Sequence, residues 1–397
     1  MKVTSYKVGM HTEHSRLSIF KHRPAPPAFF EYAWYGLLAY GILGQVWGVD
    51  IPLVGGASLI ILAGFCLLNA GVQAVRVYEP VAWALCAAAL VLIIQTFFHE
   101  WHGQAALTEG TAFITWVAVV IIAQSMLLRS GFLQRFALIA FAIGLAALPY
   151  ITIRTVGNVV RAWASGTGIS NPNVLGMWFG FCTVYFIFWG LQSQKLIPRV
   201  ASWCIAVGCL FIVTLSVSRA PLLGILVACI VGFRSALRQS FVPLLSLVLL
   251  MSLIYVSGLF DAEISNYVAR GAEESGREIL WPIALERISN SPWIGVGLDD
   301  IAIKYRQNRY VIPHNGLLHI ALGAGIVPLI CFLGYLARVV IGTVQLMKRV
   351  QIGEAVLLPP LIAFALFEMM VLDFAFMSPW VVVVFGKAAG ANGVTSR

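Results

Sequence analysis

Charge is scarce in this sequence. Asp, Glu, Lys and Arg make up 11% of its 397 residues, against 60% hydrophobic, where a soluble domain carries about 25% charged residues. A chain so poor in charge lacks the polar surface that water requires, which points to a bilayer as its solvent. Acid is scarcer than base, 17 residues against 26, for a net charge of +9. Between apolar spans, basic residues report membrane topology and not a nucleic-acid partner. Metal and redox motifs are also missing. The seven cysteines, 66, 86, 182, 204, 209, 229 and 331, lie in apolar stretches without CxxC spacing, so they read as small buried or lipid-facing side chains. No DxD occurs, and His99 and His102 have neither the HExxH pattern nor an evident further ligand,. The basic N-terminus lacks a small-residue cleavage site, so it is not read as a signal peptide. Paired broken helices, as in a transporter's internal repeat, are not evident.

Long apolar runs are abundant. Stretches of the length that crosses ~30 Å of hydrocarbon fall near 30–49, 51–72, 81–98, 111–128, 134–151, 172–191, 200–217, 219–233, 241–260, 314–347, 355–370 and 371–386. The sequence therefore predicts an all-α polytopic membrane protein of about twelve spans. The tail, residues 1–29, carries Lys2, Lys7, Arg16, Lys21 and Arg23, which places it in the cytoplasm. Alternation from there puts Arg76, Arg129, Arg135, Lys195, Arg199, Arg234, Arg238, Lys348 and Arg349 on cytoplasmic turns, with the tail 387–397 also inside. Spans 1–9 then occupy 30–260, a large outer loop 261–313, and spans 10–12 residues 314–386.

The same topology leaves Arg154, Arg161, Arg219, Arg270, Arg277, Arg287, Lys304, Arg306 and Arg309 outside, where short loops normally shed positive charge. Arg219 is the oddest, at the junction of two apolar spans in TLSVSRAPLLG. A guanidinium there requires a partner, either a loop carboxylate or an anionic ligand. The 152–171 segment is polar and turn-rich, and Asn171-Pro172-Asn173 fits a turn that starts a helix, with Asn173 as cap.

The loop 261–313 is too long and polar for a connector. Ser275-x-x-Glu278 matches a capping box that starts a short helix at Gly276, whereas Pro282 fits a start near Trp281. Ile279, Leu280, Ile283 and Ile288 would give that helix an apolar stripe for lying on the membrane domain. His314 follows Pro313 at the loop's end. A neutral imidazole there could accept a hydroxyl proton near neutral pH, or act only as a polar cap. His319, inside the next span, reads as packing.

Taken in order, NPN at 171–173, LSVSRAP at 215–221, SGREILW at 275–281, SPWIGVG at 291–297 and PHNGLLHIALGAG at 313–325 resemble the O-antigen ligase and O-antigen polymerase family of bacterial inner-membrane proteins. The likeness covers roughly residues 170 to 335. It implies a GT-C-like helical bundle with a large periplasmic loop containing short helices, both termini cytoplasmic, and an active site facing the periplasm. It also implies a donor glycan carried on undecaprenyl pyrophosphate. The family's two functional arginines match Arg219 and Arg277, and its functional histidine matches His314. Arg154, Arg161, Arg306 and Asn315 are weaker substrate-binding candidates. The expected activity is inverting, metal-independent and cofactor-free transfer to a sugar hydroxyl of lipid A–core, with membrane lipids around the protein and no nucleic acid. A polymerase joining lipid-linked repeat units is the close alternative. A protein O-oligosaccharyltransferase is less favoured, because such enzymes commonly carry a long C-terminal extension. A lipid-linked glycan transporter is the alternative of another class.

Overall fold

The computed structural model describes residues 26–49, 52–70, 115, 117–156, 159–234, 264–265, 267–268, 277–297, 303–305, 309–311, 313–349, 354–370 and 378–390. It is mostly helical. In chain order the elements are α1 (Ala28–Leu43), α2 (Pro52–Ala70), α3 (Val117–Met126), α4 (Phe132–Ala147), β1 (Ile151–Val156), β2 (Val159–Ala164), α5 (Pro172–Gln192), α6 (Leu196–Leu215) and α7 (Arg219–Gly232). After them come α8 (Arg277–Asn290), β3 (Ile303–Tyr305), β4 (Arg309–Val311), α9 (Gly316–Ala324), α10 (Ile326–Arg349), α11 (Glu354–Met369) and α12 (Pro379–Gly390). Phe132–Tyr150, Pro172–Gln192, Leu196–Leu215 and Ile326–Lys348 are long and apolar enough to cross a membrane, and five further apolar helices are shorter. The spans expected near 81–98 and 241–260, together with His99, His102 and Arg306, lie outside the described residues.

The core is built around α5. Apolar residues all round a helix require burial on every side, and Trp178, Phe179, Phe181, Tyr185, Phe186 and Phe188 are all buried. Pro172 opens the helix at its first position, where a missing N–H costs nothing,. The cap differs from the expected one: the Asn171 side chain accepts from the Asn173 backbone N–H at 2.8 Å, which leaves the Asn173 side chain for another task. α6, α7 and α11 pack against α5. Gly180 of α5 and Gly224 of α7 both face the Phe364 ring of α11, and a Cβ at either would overlap it. Trp380 of α12 stacks on Phe364 and Phe181 at 5.4 and 4.8 Å. α6 turns Leu196, Ile197, Val207 and Phe211 outward, as a lipid-facing helix does.

One end of the bundle is closed by ion pairs. Glu31, 1% exposed, accepts from Arg129 Nε at 2.6 Å and from Arg135 Nε and Nη2 at 2.6 and 2.9 Å, and the Tyr35 hydroxyl donates to it at 2.7 Å. Both arginines of one basic turn read from topology are thus tied to one buried carboxylate. α4 runs away from this cluster for 16 residues, about 24 Å at 1.5 Å per residue, and ends at the β1–β2 hairpin.

The all-α expectation needs correction at two places. β1 and β2 pair antiparallel from Ile151–Ala164 to Val156–Val159, where a turn-rich loop was expected. The signal was present as Gly157-Asn158 between two β-branched runs, a two-residue hairpin step. β3 and β4 form a shorter hairpin inside the long loop.

The apolar run 314–347 is not one helix. α9 ends at Gly325, with φ +85°, and α10 begins at Ile326. Residues 292–297 are bonded backbone to backbone across the break: Val296 N–H donates to Leu322 O (2.7 Å), Gly297 N–H to Gly323 O (3.2 Å) and Ile326 N–H to Pro292 O (2.8 Å). A Cβ on Gly325 would collide with the Trp293 carbonyl, and its φ also disfavours any other residue. Gly325→Ala is therefore expected to destabilise the protein by at least about 1–3 kcal/mol, read as a lower unfolding midpoint in detergent.

Candidate functional site

Arg219 is the first residue of α7, and it is exposed. α6 stops at Leu215. Ser216 and Val217 fold back onto its last turn through bonds to Ile212 O and Thr214 O at 3.1 and 3.0 Å. Val217 then takes φ +47°, a left-handed conformation that a β-branched residue adopts only under constraint. Ser218 precedes α7 at the capping position but does not cap it. Its hydroxyl donates to Asn173 Oδ1 at 2.8 Å. The side chain expected to cap α5 is therefore what holds the turn before Arg219.

Arg161, on β2, ties the hairpin to the same turn. Its Nε donates to Ser216 O at 3.0 Å and its Nη2 to Asn173 Oδ1 at 3.3 Å. The Tyr267 hydroxyl donates to Thr214 O at 3.1 Å. Burial pushes the Tyr267 phenol above its ordinary range, while the neighbouring Arg161 guanidinium acts the other way. Tyr267 thus packs as a neutral brace against the α6–α7 turn.

Arg277 is the first residue of α8 and is half-buried. Between the two expected starts, the helix begins at Arg277 and carries Pro282 within it. Leu280 and Ala284 bury against Ile303 and Leu322, with Trp281, Ile283, Ile288, Val296 and Val311 around them. Of the expected stripe, Ile279 instead stays 39% exposed. One turn past Arg277, the Trp281 indole N–H donates to Pro313 O at 2.9 Å. That bond fixes α8 against the residue preceding His314.

His314 has φ +50°. With Val217 it is one of two non-glycine residues in the left-handed region among those described, and each stands at or near a predicted catalytic position. Asn315, 3% exposed, caps α9: its Oδ1 accepts from Leu317 and Leu318 N–H at 3.0 and 3.1 Å. Its Nδ2 reaches Met370 O at 3.5 Å. The cap role weighed for His314 is thus filled by Asn315, whose side chain is occupied with backbone. His319 is buried one turn into α9, as packing implied.

These contacts bring the three sites to one end of the bundle. Phe367, in the last turn of α11, lies against Gly224 in the first half of α7. Met370, at the same end of α11, meets Asn315, and Pro313 meets α8. The electrostatics are shared as well. A helix N-terminus carries about half a positive charge, so a cation there costs roughly 0.3–1 kcal/mol. Arg219 and Arg277 both take that unfavourable position. At α7 the guanidinium adds to a helix end that already favours an anion, whereas at α8 Glu278 stands in the same first turn as Arg277. Arg154 is exposed on β1 and its Nη2 donates to Ser165 Oγ at 2.8 Å. Among the described residues no three of His, Cys, Asp and Glu are grouped as metal ligands.

Sequence reasoning missed Trp281, Asn173 as an acceptor, Tyr267 and the strained Val217. Trp281 stands inside the SGREILW block, so the block marked it. Val217 stands inside the LSVSRAP block in the same way, but nothing in the sequence marks its conformation, which follows from packing.

A family model described as O-antigen ligase matches residues 204–333, from within α6 to within α10. The matched segment contains Arg219, Arg277 and His314 and excludes the β1–β2 hairpin. No curated protein matches the chain.

Proposed function

From its membership of the O-antigen ligase and polymerase family, we propose that this chain is an O-antigen ligase of the bacterial inner membrane. In this reading it moves a glycan from undecaprenyl pyrophosphate to a sugar hydroxyl of lipid A–core at the periplasmic face. The observation that carries the reading is the pair of arginines at helix N-termini, Arg219 and Arg277, at the bundle end where His314 is held in a left-handed conformation.

In this reading Arg219 and Arg277 hold the donor's pyrophosphate, since a guanidinium fork matches phosphate oxygens. His314 accepts the proton of the acceptor hydroxyl. The hydroxyl oxygen forms its bond to the anomeric carbon from the face opposite the leaving group. The bond between that carbon and the phosphate oxygen breaks, and both its electrons leave with undecaprenyl pyrophosphate. Arg219 and Arg277 stabilise the charge gathering there. The configuration inverts. The bundle is read as GT-C-like with twelve spans, both termini in the cytoplasm and the 261–313 loop in the periplasm. Arg154, Arg161, Arg306 and Asn315 are the weaker substrate-binding candidates of this reading.

The test is transfer by purified protein from a lipid-linked donor, with lipid A–core and a second lipid-linked repeat as competing acceptors. Product on lipid A–core is expected. Product on the second repeat would make the protein a polymerase, and donor relocation across a liposome without turnover would make it a transporter. With two guanidinium groups to receive the leaving charge, transfer is expected to survive chelation with excess EDTA. Loss of activity on chelation with recovery on adding magnesium would overturn that expectation.

A further inference from the structure

We propose that the turn at 291–297 sits at the boundary between hydrocarbon and headgroups of the bilayer, with Trp293 and Ile294 set into the lipid as an anchor. The proposal holds whichever acceptor the protein uses, since it concerns the surface that the chain offers to lipid.

The starting observation is an exposed indole on a fixed turn. Trp293 is 69% exposed and Ile294 beside it is exposed too, in a run that carries no charged residue between Arg287 and Asp299. The turn is closed on itself: Ser291 N–H donates to Arg287 O (3.2 Å), Gly295 N–H to Ser291 O (3.0 Å), and the Ser291 hydroxyl to Gly295 O (2.6 Å). The bonds of Val296 and Gly297 tie it to α9, and that of Pro292 ties it to the start of α10. Gly295 takes φ +69°, and a Cβ there would overlap the Leu322 carbonyl. Irregular main chain is costly in lipid unless its polar groups are paired. Here the N–H groups of Ser291, Gly295, Val296 and Gly297 are paired, and Pro292 has none.

α10 supplies the depth. Val327, Ile330, Leu333, Ile341 and Val344 are exposed at helical spacing along one face, while Phe332 and Val339 are buried on the other, the pattern of a helix with one side in lipid. The span Ile326–Lys348 has 23 residues, about 34 Å of helix at 1.5 Å per residue, against ~30 Å of hydrocarbon. With Lys348 at one boundary, Ile326 falls at the other. Arg338, the one charge inside the span, has a partner within the protein, so it does not oblige the span to end there. Ile326 N–H donates to the Pro292 carbonyl at 2.8 Å, which sets Trp293 at the same level. Tryptophan is enriched at that boundary, where its ring meets acyl chains and its N–H meets water or headgroup. A platform for sugars would set polar groups around the ring. The residues flanking Trp293 in the turn and at the start of α10, Ile294 and Val327, are apolar and exposed, which fits acyl chains.

The test is tryptophan fluorescence of the full-length protein in phosphatidylcholine nanodiscs, with lipids brominated either near the headgroup end of the acyl chain or near its terminal methyl. Subtracting the spectrum of Trp293→Phe from that of wild type isolates Trp293 among the 12 tryptophans. Trp293→Tyr, as a second variant, should give the same difference. The Trp293 emission is expected to lose most of its intensity with bromine near the headgroup and little with bromine near the chain end. Emission that neither lipid changes would overturn the proposal. Stronger quenching from the chain end would bury the turn in the hydrocarbon and overturn the placement. A blue shift on adding core oligosaccharide freed of its lipid, without quenching by brominated lipid, would make the turn a sugar platform instead.

Discussion

His314→Ala is expected to lower glycan transfer by about 10²–10⁴-fold, the usual contribution of a positioned general base, at normal expression and with stability lowered by only about 1 kcal/mol. The local structure explains why stability should be spared. Asn315, not His314, caps α9, and the bond from Trp281 goes to the Pro313 carbonyl, so neither anchor is lost with the imidazole. Alanine does inherit the φ of +50°, a strain of about 1 kcal/mol. His314→Asn, a residue that tolerates that conformation, keeps the backbone unstrained without supplying a comparable base. It should be as inactive as the alanine variant. Substantial transfer by His314→Asn would remove His314 from proton transfer and leave it a conformational role.

Arg277→Ala is expected to reduce transfer by about 10²–10³-fold, in line with losing one preorganised group that meets developing charge. Arg277→Lys should recover little, because a point charge does not reproduce a two-pronged donor. The substitution removes a cation from a helix N-terminus, a gain of about 0.3–1 kcal/mol set against the contacts that Arg277 gives up. Arg219→Ala should behave alike, and more cleanly, because Arg219 is exposed. A fall in unfolding midpoint that matched the fall in activity would assign these arginines to the fold.

Hydropathy made legible the helical character and the four helices that, among the described residues, are long and apolar enough to cross a membrane. The expected 172–191 and 219–233 became Pro172–Gln192 and Arg219–Gly232, because a run of apolar residues between basic turns has few alternatives. It failed where a glycine decides between one helix and two. The run from 314 to 347 is apolar throughout, and its division at Gly325 depends on main-chain bonds from residues 292–297, which composition cannot report. The β1–β2 hairpin was missed for the opposite reason: its Gly-Asn step was visible, but polarity drew the segment into the loop class. At the candidate site, the arginines stood out in the sequence because the topology reading assigns them to the outer side, where short loops normally shed positive charge. The work of Asn173 was not, because its partners Arg161 and Ser218 are distant in sequence.

The break at Gly325 has a mechanical consequence. A spanning helix adapts to bilayers of different thickness by tilting, and a helix pivots where its main-chain ladder is interrupted. α10 is interrupted at Gly325, beyond the short α9 that follows His314. Changes in lipid length should therefore be absorbed as rotation of α10 about that joint. Of the three main-chain bonds across the break, that of Ile326 to Pro292 O involves α10, whereas those of Val296 and Gly297 hold α9, so α9 and the His314 that precedes it stay with residues 292–297 while α10 turns.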